Sequence, residues 1–374
     1  MQRFDALEGM RAVLAWWVVV GHMLGSAGLN RRSMPDGLEF LRHGEIAVYV
    51  FMIISGFVIT HLLMNKREPY HIYITRRFLR LWPVFVVVIT VIAAMELLGS
   101  PLRGQAGDML WVHWLLEATM LHGVVPDEVL RNASQRLGGP GWSISLEWQF
   151  YIIAPALLGA IVTKGWLRWT VVAVIAATAM IGALGHVDEV MNLNFDLGRF
   201  TYSKPSAIWV GLPFFAAGMA SWWVMQNREK LVAPIAIGLI AAFCVMGLID
   251  DYKVKVAFGV WALMFTGLLA GAGPLHTIFK FGPLRWTGEI SYSTYITHMP
   301  VLLAVQAYLL PLVTRETGWT QFWWTALIAP PIILAVSAAS YYGLEKPGIA
   351  LGRHLAKKMG GTKKQPPLPA GYGP

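Results

Sequence analysis

The chain has 374 residues, of which 56% are hydrophobic and 14% charged, and it carries a net charge of +9. Soluble proteins contain about 25% charged residues, so this composition excludes an ordinary soluble domain and predicts an all-α polytopic membrane helical bundle. The single cysteine, Cys244, excludes an internal disulfide and a thiol-based metal site. We therefore predict no metal and no permanently bound cofactor. The positive charge is explained by membrane sidedness, so no nucleic-acid partner is expected.

About ten apolar runs are long enough to cross a bilayer as helices of roughly 20 residues. We predict spans at residues 10–28, 46–64, 81–99, 143–163, 167–185, 206–225, 232–249, 256–272, 289–311 and 321–343. An even number of spans places both termini on one side of the membrane. The positive-inside rule makes that side cytoplasmic, because it then holds 19 of the 30 Lys and Arg residues but only 6 of the 21 Asp and Glu residues.

These counts predict a multi-pass protein of the inner, cytoplasmic membrane. Residues 1–350 form one membrane domain, and residues 351–374 form a basic, disordered cytoplasmic tail near anionic lipid headgroups. Residues 100–141 form the longest outer loop, with an amphipathic helix that we expect to lie on the outer surface. Its histidines, His113 and His122, are expected to be solvated at the interface. The sequence does not predict an oligomeric state.

The first span contains an arginine and a histidine on one face. Arg11 and His22 are eleven residues apart, which is about three helical turns and roughly 16 Å along the axis. A histidine at that depth is a functional hypothesis, and the alternative is a histidine that is hydrogen-bonded between helices. Glu8 lies one turn before Arg11 and could pair with it.

Ser55 and Gly56 lie in the middle of the second span. Small residues let helices approach closely, so we interpret the pair mainly as a packing site. A serine nucleophile is the alternative, but the G-x-S-x-G elbow that would support it is absent.

Three arginines, Arg76, Arg77 and Arg80, come directly before the third predicted span. Arginines within two helical turns offer fork-shaped donors that suit phosphate groups. The alternative is a topology cluster with no ligand. With Arg11 at the same membrane face, the cluster favours a phosphate-rich cytosolic ligand.

A turn rich in Gly and Pro leads into a span that begins with several polar side chains. These are Ser143, Ser145, Glu147 and Tyr151, next to Trp142. A carboxylate about one turn below the outer surface could position a histidine or a substrate hydroxyl. An interfacial belt of aromatic residues is the alternative, and it explains the aromatics better than it explains Glu147.

The ninth predicted span opens with a polar stripe, since Ser291, Tyr295 and His298 follow one another at helical spacing beside Tyr292. His298 would lie near the bilayer midplane, like His22. A metal site is weakly supported, because the two histidines lack a cysteine or a cluster of carboxylates.

Six sequence runs together resemble acyltransferase family 3, the membrane-bound acyltransferases that O-acetylate carbohydrates. In chain order they are LEGMRAVLAWWVVVGH, VFMIISGF, RRFLRLWP, WSISLEWQFYIIAP, SYSTYITHMP and LEKP. They resemble the family's LDGLRG…H, FFxxSGF, RRxxRxxP, WSLxxExxFYxxxP, YSxYLxH and ExP patterns, and they cover Leu7 to Pro347. Met52 and Trp148 depart from the patterns.

The resemblance implies transfer of an acyl group, usually acetyl, from cytosolic acyl-CoA to a hydroxyl of a surface or exported carbohydrate. The expected acceptor is an exopolysaccharide, a lipopolysaccharide or a lipid-linked glycan. His22 would be the catalytic histidine with Arg11 beside it, and Glu147 would orient His22 or the acceptor. We assign donor binding to Arg76, Arg77, Arg80, Ser55, Tyr292, Tyr295 and His298. We assign the acceptor side to Trp142, Ser143, Ser145 and Tyr151.

Three alternatives stay open. The same motifs would serve O-acylation of a small molecule such as a macrolide or a lipid. An exporter of glycans or anions would also use midplane polar groups and an arginine-rich entrance, but it should show inverted repeats, and the sequence has none. Transfer could also proceed through an acyl-enzyme intermediate instead of directly.

Overall fold

The computed structural model describes residues 5–30, 33–35, 37–66, 68–98, 109–137, 139–162, 165, 169–171, 173, 194–195, 198–199, 206–226, 252–270 and 274–360. The α-helices in these residues are α1 (Asp5–Ser26), α2 (Gly44–Asn65), α3 (Tyr70–Leu97), α4 (Leu110–Ala118), α5 (Trp142–Val162), α6 (Ile208–Gln226), α7 (Tyr252–Ala270), α8 (Pro274–Lys280), α9 (Gly282–Glu289), α10 (Ser291–Ala304), α11 (Trp319–Ser340) and α12 (Lys346–Lys358). Short 3₁₀ segments cover Glu39–Arg42, His122–Val124, Gly139–Gly141 and Leu310–Leu312, and π-helical segments cover Val305–Leu309 and Tyr341–Glu345. A two-residue antiparallel ladder pairs Asn194–Phe195 with Gly198–Arg199.

Eight helical stretches of the described chain are long and apolar enough to cross a membrane. They coincide with eight of the ten predicted spans and confirm a helical, multi-pass bundle. The predicted spans 167–185 and 232–249 lie outside the described residues, apart from 169–171 and 173.

Helix α3 begins eleven residues before the predicted third span. Tyr70–Leu97 is one continuous helix of 28 residues, so the three arginines lie on the spanning helix itself and not on a loop before it. Pro69 stands just before the first turn, where no backbone N–H is needed, and no helix breaker lies between it and the apolar part.

The C-terminal helix also extends further than predicted. Helix α12 continues to Lys358, so the predicted boundary between residues 350 and 351 falls inside a helix. The physical reason is that Leu, Ala, Lys and Arg are strong helix formers even where they are polar. Residues 361–374, the remainder of the predicted tail, lie outside the described part of the chain.

Glycines set the closest helix contacts. A Cβ at Gly56 of α2 would overlap the backbone of Phe215 in α6, and a Cβ at Gly218 of α6 would overlap the backbone of Ile53 in α2. The two helices therefore touch through their backbones, as small residues permit in membrane bundles. This contact agrees with the packing role predicted for Gly56.

The described residues of the segment between α3 and α5, which are 109–137 and 139–141, fold back onto the bundle and bury polar groups. Arg136 donates two hydrogen bonds of 2.8 Å to the Glu96 carboxylate. The N–H of Leu137 donates to Glu117, which is fully buried, over 2.7 Å. Because these partners satisfy the buried carboxylates, the segment is a packed part of the protein.

The expectation that His113 and His122 are solvated is wrong, because both side chains are buried. The His122 ring stacks on Phe85 with centroids 5.8 Å apart, and its Nε2 lies 3.2 Å from the Gly141 carbonyl oxygen. Burial lowers the pKa of His122 to about 4, although the Gly141 contact acts in the opposite direction. Burial and then the positive charge of Arg136 also lower the pKa of His113.

Candidate active site

Two neighbouring cavities that share lining residues lie between the helices of the bundle. The main cavity, of about 280 Å³, is bounded by α1, α2, α3, α5, α6 and α10. The second, which we call the arginine vestibule, has a volume of about 220 Å³. The vestibule is lined by Glu8, Arg11, Arg76, Arg77, Arg80, Glu289, Tyr341, Glu345, Ile349 and Arg353. Glu8, Arg11, Arg77 and Arg80 line both cavities, so these four side chains form the boundary between them.

The arginines at this boundary differ in their ion pairing. Arg11 donates to Glu8 over 3.3 Å, as the sequence suggested, and Arg76 pairs with Glu68. Within the described residues neither Arg77 nor Arg80 forms a salt bridge. The Nε of Arg77 is buried without a hydrogen-bond partner, and its guanidinium lies 5.9 Å from the Tyr151 ring centroid. Both arginines are half-buried, and a charge that is partly removed from water without a counter-ion is costly. Arg77 and Arg80 are therefore suited to an anionic ligand.

Polar side chains from three helices meet beside Arg77 and Arg80. Ser55 donates a hydrogen bond of 3.0 Å to Glu147, and Tyr151 donates to the same carboxylate oxygen. Tyr292 donates to the Leu81 carbonyl over 2.6 Å and lines the main cavity. Ser55 and Tyr292 thus lie on the predicted donor side. Tyr151, predicted on the acceptor side, lies among the arginines instead, because α5 carries it two turns further along than Ser143.

The far end of the main cavity is formed by Ser143 and Tyr295. Their hydroxyl oxygens are 2.7 Å apart, and Tyr295 donates to the Pro140 carbonyl over 3.0 Å. The other two predicted acceptor-side residues do not line this cavity. Trp142 is packed in the hydrophobic core, and Ser145 accepts a hydrogen bond from the N–H of Gly123 over 3.0 Å. Ser145 therefore fixes the segment between α3 and α5 to helix α5.

His22 and His298 form a pair just beyond Tyr295. The Nε2 of His298 lies 3.1 Å from the Nδ1 of His22, with ring centroids 5.0 Å apart. Each Nδ1 also lies near a carbonyl four residues earlier in its own helix, Val18 at 3.0 Å and Thr294 at 3.2 Å. A carbonyl can only accept, so both Nδ1 atoms carry a proton. This tautomer leaves a lone pair on the Nε2 of His22, which a general base requires.

The structure changes two roles that the sequence suggested. Glu147 was expected to orient His22 or the acceptor. Both side chains are described, and no hydrogen bond joins Glu147 to His22, whose ring contacts His298 and the Val18 carbonyl, so only the role toward the acceptor stays a prediction. His298 was expected to bind the donor, but it is fully buried, and neither His298 nor His22 lines the main cavity. Two histidines alone supply too few ligands for a typical zinc site.

The vestibule includes six residues that sequence reasoning did not assign to a site: Glu8, Glu289, Tyr341, Glu345, Ile349 and Arg353. Glu345 is buried, accepts a hydrogen bond of 2.8 Å from Ser293, and ends a π-helical segment. Such segments are frequent at functional sites. Glu345 belongs to LEKP, one of the six runs that resemble the family, and that run is the sequence signal that could have assigned it to the site. Arg353 was placed in the predicted disordered tail and could not be found from its local sequence.

Comparison with known proteins gives a family and several distant relatives. Residues 4–342 match the family profile described as an acyltransferase domain, acyltransferase family 3. The peptidoglycan O-acetyltransferase OatA of Listeria monocytogenes is 25% identical over 79% of this chain and 49% of its own length. The acyltransferase MdmB of Streptomyces mycarofaciens is 26% identical over 87% of this chain and 84% of its own.

Nodulation protein 10 of Rhizobium leguminosarum is 24% identical over 83% of this chain and 84% of its own length. The chain spans about half the length of the peptidoglycan O-acetyltransferase from Listeria. No solved structure matches the chain.

Proposed function

Because the chain belongs to acyltransferase family 3, we propose that it is a membrane O-acyltransferase that moves an acyl group from acyl-CoA to a carbohydrate hydroxyl. The acyl group is acetyl, and the acceptor is an exported or surface glycan of the exopolysaccharide or lipopolysaccharide type. The observation that carries this proposal is the position of Arg77 and Arg80, which form no salt bridge among the described residues and line the main cavity. Tyr295 lines the same cavity, and its ring centroid lies 6.0 Å from that of His298, which contacts His22.

The donor site follows from the charges. Acyl-CoA carries several phosphate charges that cannot enter lipid, whereas its pantetheine arm is thin and uncharged. In the proposal, Arg77 and Arg80 hold the phosphates and the arm extends into the main cavity, whose walls are largely apolar. The eleven residues from Arg11 to His22 rise roughly 16 Å along α1. The distance from the arginines to His22 is therefore about the length of the pantetheine arm.

His22 acts as the general base in the transfer. Its Nε2 takes the proton of the acceptor hydroxyl while that oxygen attacks the thioester carbonyl carbon. The carbon–sulfur bond then breaks, and the imidazolium gives its proton to the leaving thiolate. The products are the O-acyl ester and free CoA thiol. His298 holds the His22 ring in the required tautomer, so it is a positioning residue.

The acceptor is proposed to approach from the end of the bundle opposite the arginine vestibule. The positive-inside rule makes the vestibule end cytoplasmic, so both termini are cytoplasmic and the protein is a multi-pass component of the inner membrane. The acceptor end is covered by the packed segment between α3 and α5, which the buried Glu96–Arg136 pair stabilises.

The test is acceptor-dependent release of CoA thiol by the purified protein in lipid nanodiscs. Acetyl-CoA and an extracted cell-envelope glycan are the substrates, and mass spectrometry reports the acetylated product. We expect turnover by the wild type and a loss of at least 100-fold in His22→Ala, since general bases contribute about 10²–10⁴-fold. His71→Ala, on the exposed side of α3, is the control. Wild-type turnover by His22→Ala would contradict the assignment of His22 as the general base. Transport of the glycan without release of CoA thiol would instead support an exporter.

A further inference from the structure

Arg353 brings a charge to the vestibule from outside the part of the chain that matches the family. The family match ends at residue 342, and Arg353 lies in the second half of α12. Its side chain nevertheless lines the vestibule together with the arginines of α3.

The position of Arg353 depends on two glycines. A Cβ at Gly348 would overlap the Leu79 carbonyl of α3, and a Cβ at Gly352 would lie 3.5 Å from the Arg76 Cα. Glycines four residues apart on one helix face let α12 lie directly against α3. Arg353 follows Gly352, so this backbone contact aligns it beside the α3 arginines.

The arginines of the vestibule lie at two levels, one next to the main cavity and one further from it. Arg11, Arg77 and Arg80 line both cavities, whereas Arg76 and Arg353 line the vestibule alone. Arg76 is already paired with Glu68. Among the described residues Arg353 has no ion-pair partner, and it is largely exposed. Arg353 is therefore the available cation at the level further from the main cavity.

The order of charges in acyl-CoA matches these two levels. Its pyrophosphate is attached directly to the pantetheine arm, and its third phosphate is on the 3′ oxygen of the ribose, at the far end of the nucleotide. If the arm lies in the main cavity, the pyrophosphate reaches Arg77 and Arg80, and the 3′-phosphate lies further out. We propose, on the basis of the proposed donor, that Arg353 binds the ribose 3′-phosphate of acyl-CoA.

The experiment compares CoA with 3′-dephospho-CoA, using competition against a fluorescent CoA in nanodiscs of phosphatidylcholine. Wild type is expected to prefer CoA by roughly fivefold, the scale of a partly solvated ion pair. Arg353→Gln should reduce the affinity for CoA to that for 3′-dephospho-CoA and leave the latter unchanged. Gly348→Leu should lose the same preference, because it moves α12 away from α3. Lys357→Gln, on the same helix but not in the vestibule, should keep it.

The outcomes separate the inference from the proposed function. If wild type binds neither compound, the donor proposal fails. If wild type prefers CoA and Arg353→Gln keeps the same preference, only the role of Arg353 is overturned. An equal loss for both compounds would also overturn it, since the effect would not depend on the 3′-phosphate. The same follows if the variant alters only retention of phosphatidylglycerol in anionic nanodiscs, because Arg353 would then bind lipid phosphate.

Discussion

At the scale of single residues, the site combines side chains whose partners could be predicted with side chains whose partners could not. The Glu8–Arg11 pair follows from a spacing of three residues within one helix, and such local spacing is visible in the sequence. The contact between His22 and His298 joins residues 276 positions apart. It depends on how α1 and α10 are rotated against each other. Sequence reasoning therefore selected both histidines as candidates but did not predict that they contact each other, or that Glu147 accepts hydrogen bonds from Ser55 and Tyr151.

The contact between His22 and His298 leads to a prediction about kcat. His298→Leu removes one of the two acceptors near the His22 Nδ1–H and leaves only the Val18 carbonyl. The ring is then held less firmly in its orientation and tautomer, so kcat should fall by roughly 10- to 100-fold with little change in KM. His298→Gln keeps an acceptor near the Nε2 position and should retain more activity than His298→Leu. The kcat values and pH–rate profiles of both variants give the measurement. Equal kcat values for the two variants, with unchanged pH profiles, would contradict the positioning role.

At the scale of helices, apolar length was sufficient to find most spans but not their ends. Helix α12 ends at Lys358, because polar helix formers extend it beyond its apolar part. Helix α3 starts at Tyr70, because no helix breaker separates Pro69 from the apolar part. Glycine contacts such as that of Gly218 were not predicted either. A glycine in a span is compatible with any neighbour, and only the folded structure shows which backbone lies against it.

The backbone contact between α2 and α6 predicts a large effect of one methyl group. Gly218→Ala places a Cβ on the Ile53 carbonyl, and overpacking of this kind costs about 1–3 kcal/mol. Gly259→Ala is the matched control, because a Cβ there meets no atom within 4 Å and alanine favours a helix by about 1 kcal/mol. Thermal unfolding in nanodiscs should show a lower Tm for Gly218→Ala only. A Tm equal to or above that of wild type would show that the helices do not touch there.

The burial of His122 predicts that the segment between α3 and α5 loses stability in acid. Burial lowers the pKa of His122 to about 4, while in the unfolded segment the group titrates near 6.5. Between these values the unfolded form binds more protons, so stability is complete above pH 6.5 and falls as the pH falls toward 4. The loss amounts to about 2 kcal/mol at pH 5. His113, with a pKa lowered in the same direction, adds to it.

Hydrogen exchange of residues 109–137 between pH 7 and pH 5 measures this effect, after correction for the intrinsic exchange rate. Protection should decrease with acid in wild type and decrease less in His122→Phe, which keeps the stack on Phe85 but cannot bind a proton. The same loss in both proteins would exclude His122 as the cause.

At the scale of the whole molecule, composition and periodicity predicted a helical, multi-pass bundle, and the described helices confirm it. Sequence reasoning also assigned residues of α1, α2, α3, α5 and α10 to one site, and most of these residues line the main cavity. The vestibule was only partly predicted, because α12 contributes to it from the far end of the chain. Sidedness stays a prediction from the charge distribution.

The central claim is that the acyl group of CoA enters from the arginine vestibule and reaches the histidine pair. The most direct measurement is photolabelling with an acyl-CoA that carries a diazirine in a short acyl group, followed by peptide mapping. We predict labels on α1 near His22 and on α10 near His298, displaced by acetyl-CoA. Arg77→Ala combined with Arg80→Ala should remove them, most strongly at low salt, where charges are least screened. Arg285→Ala, whose arginine lines neither cavity, should keep them. Labels elsewhere, or undiminished labels in the double variant, would contradict the account.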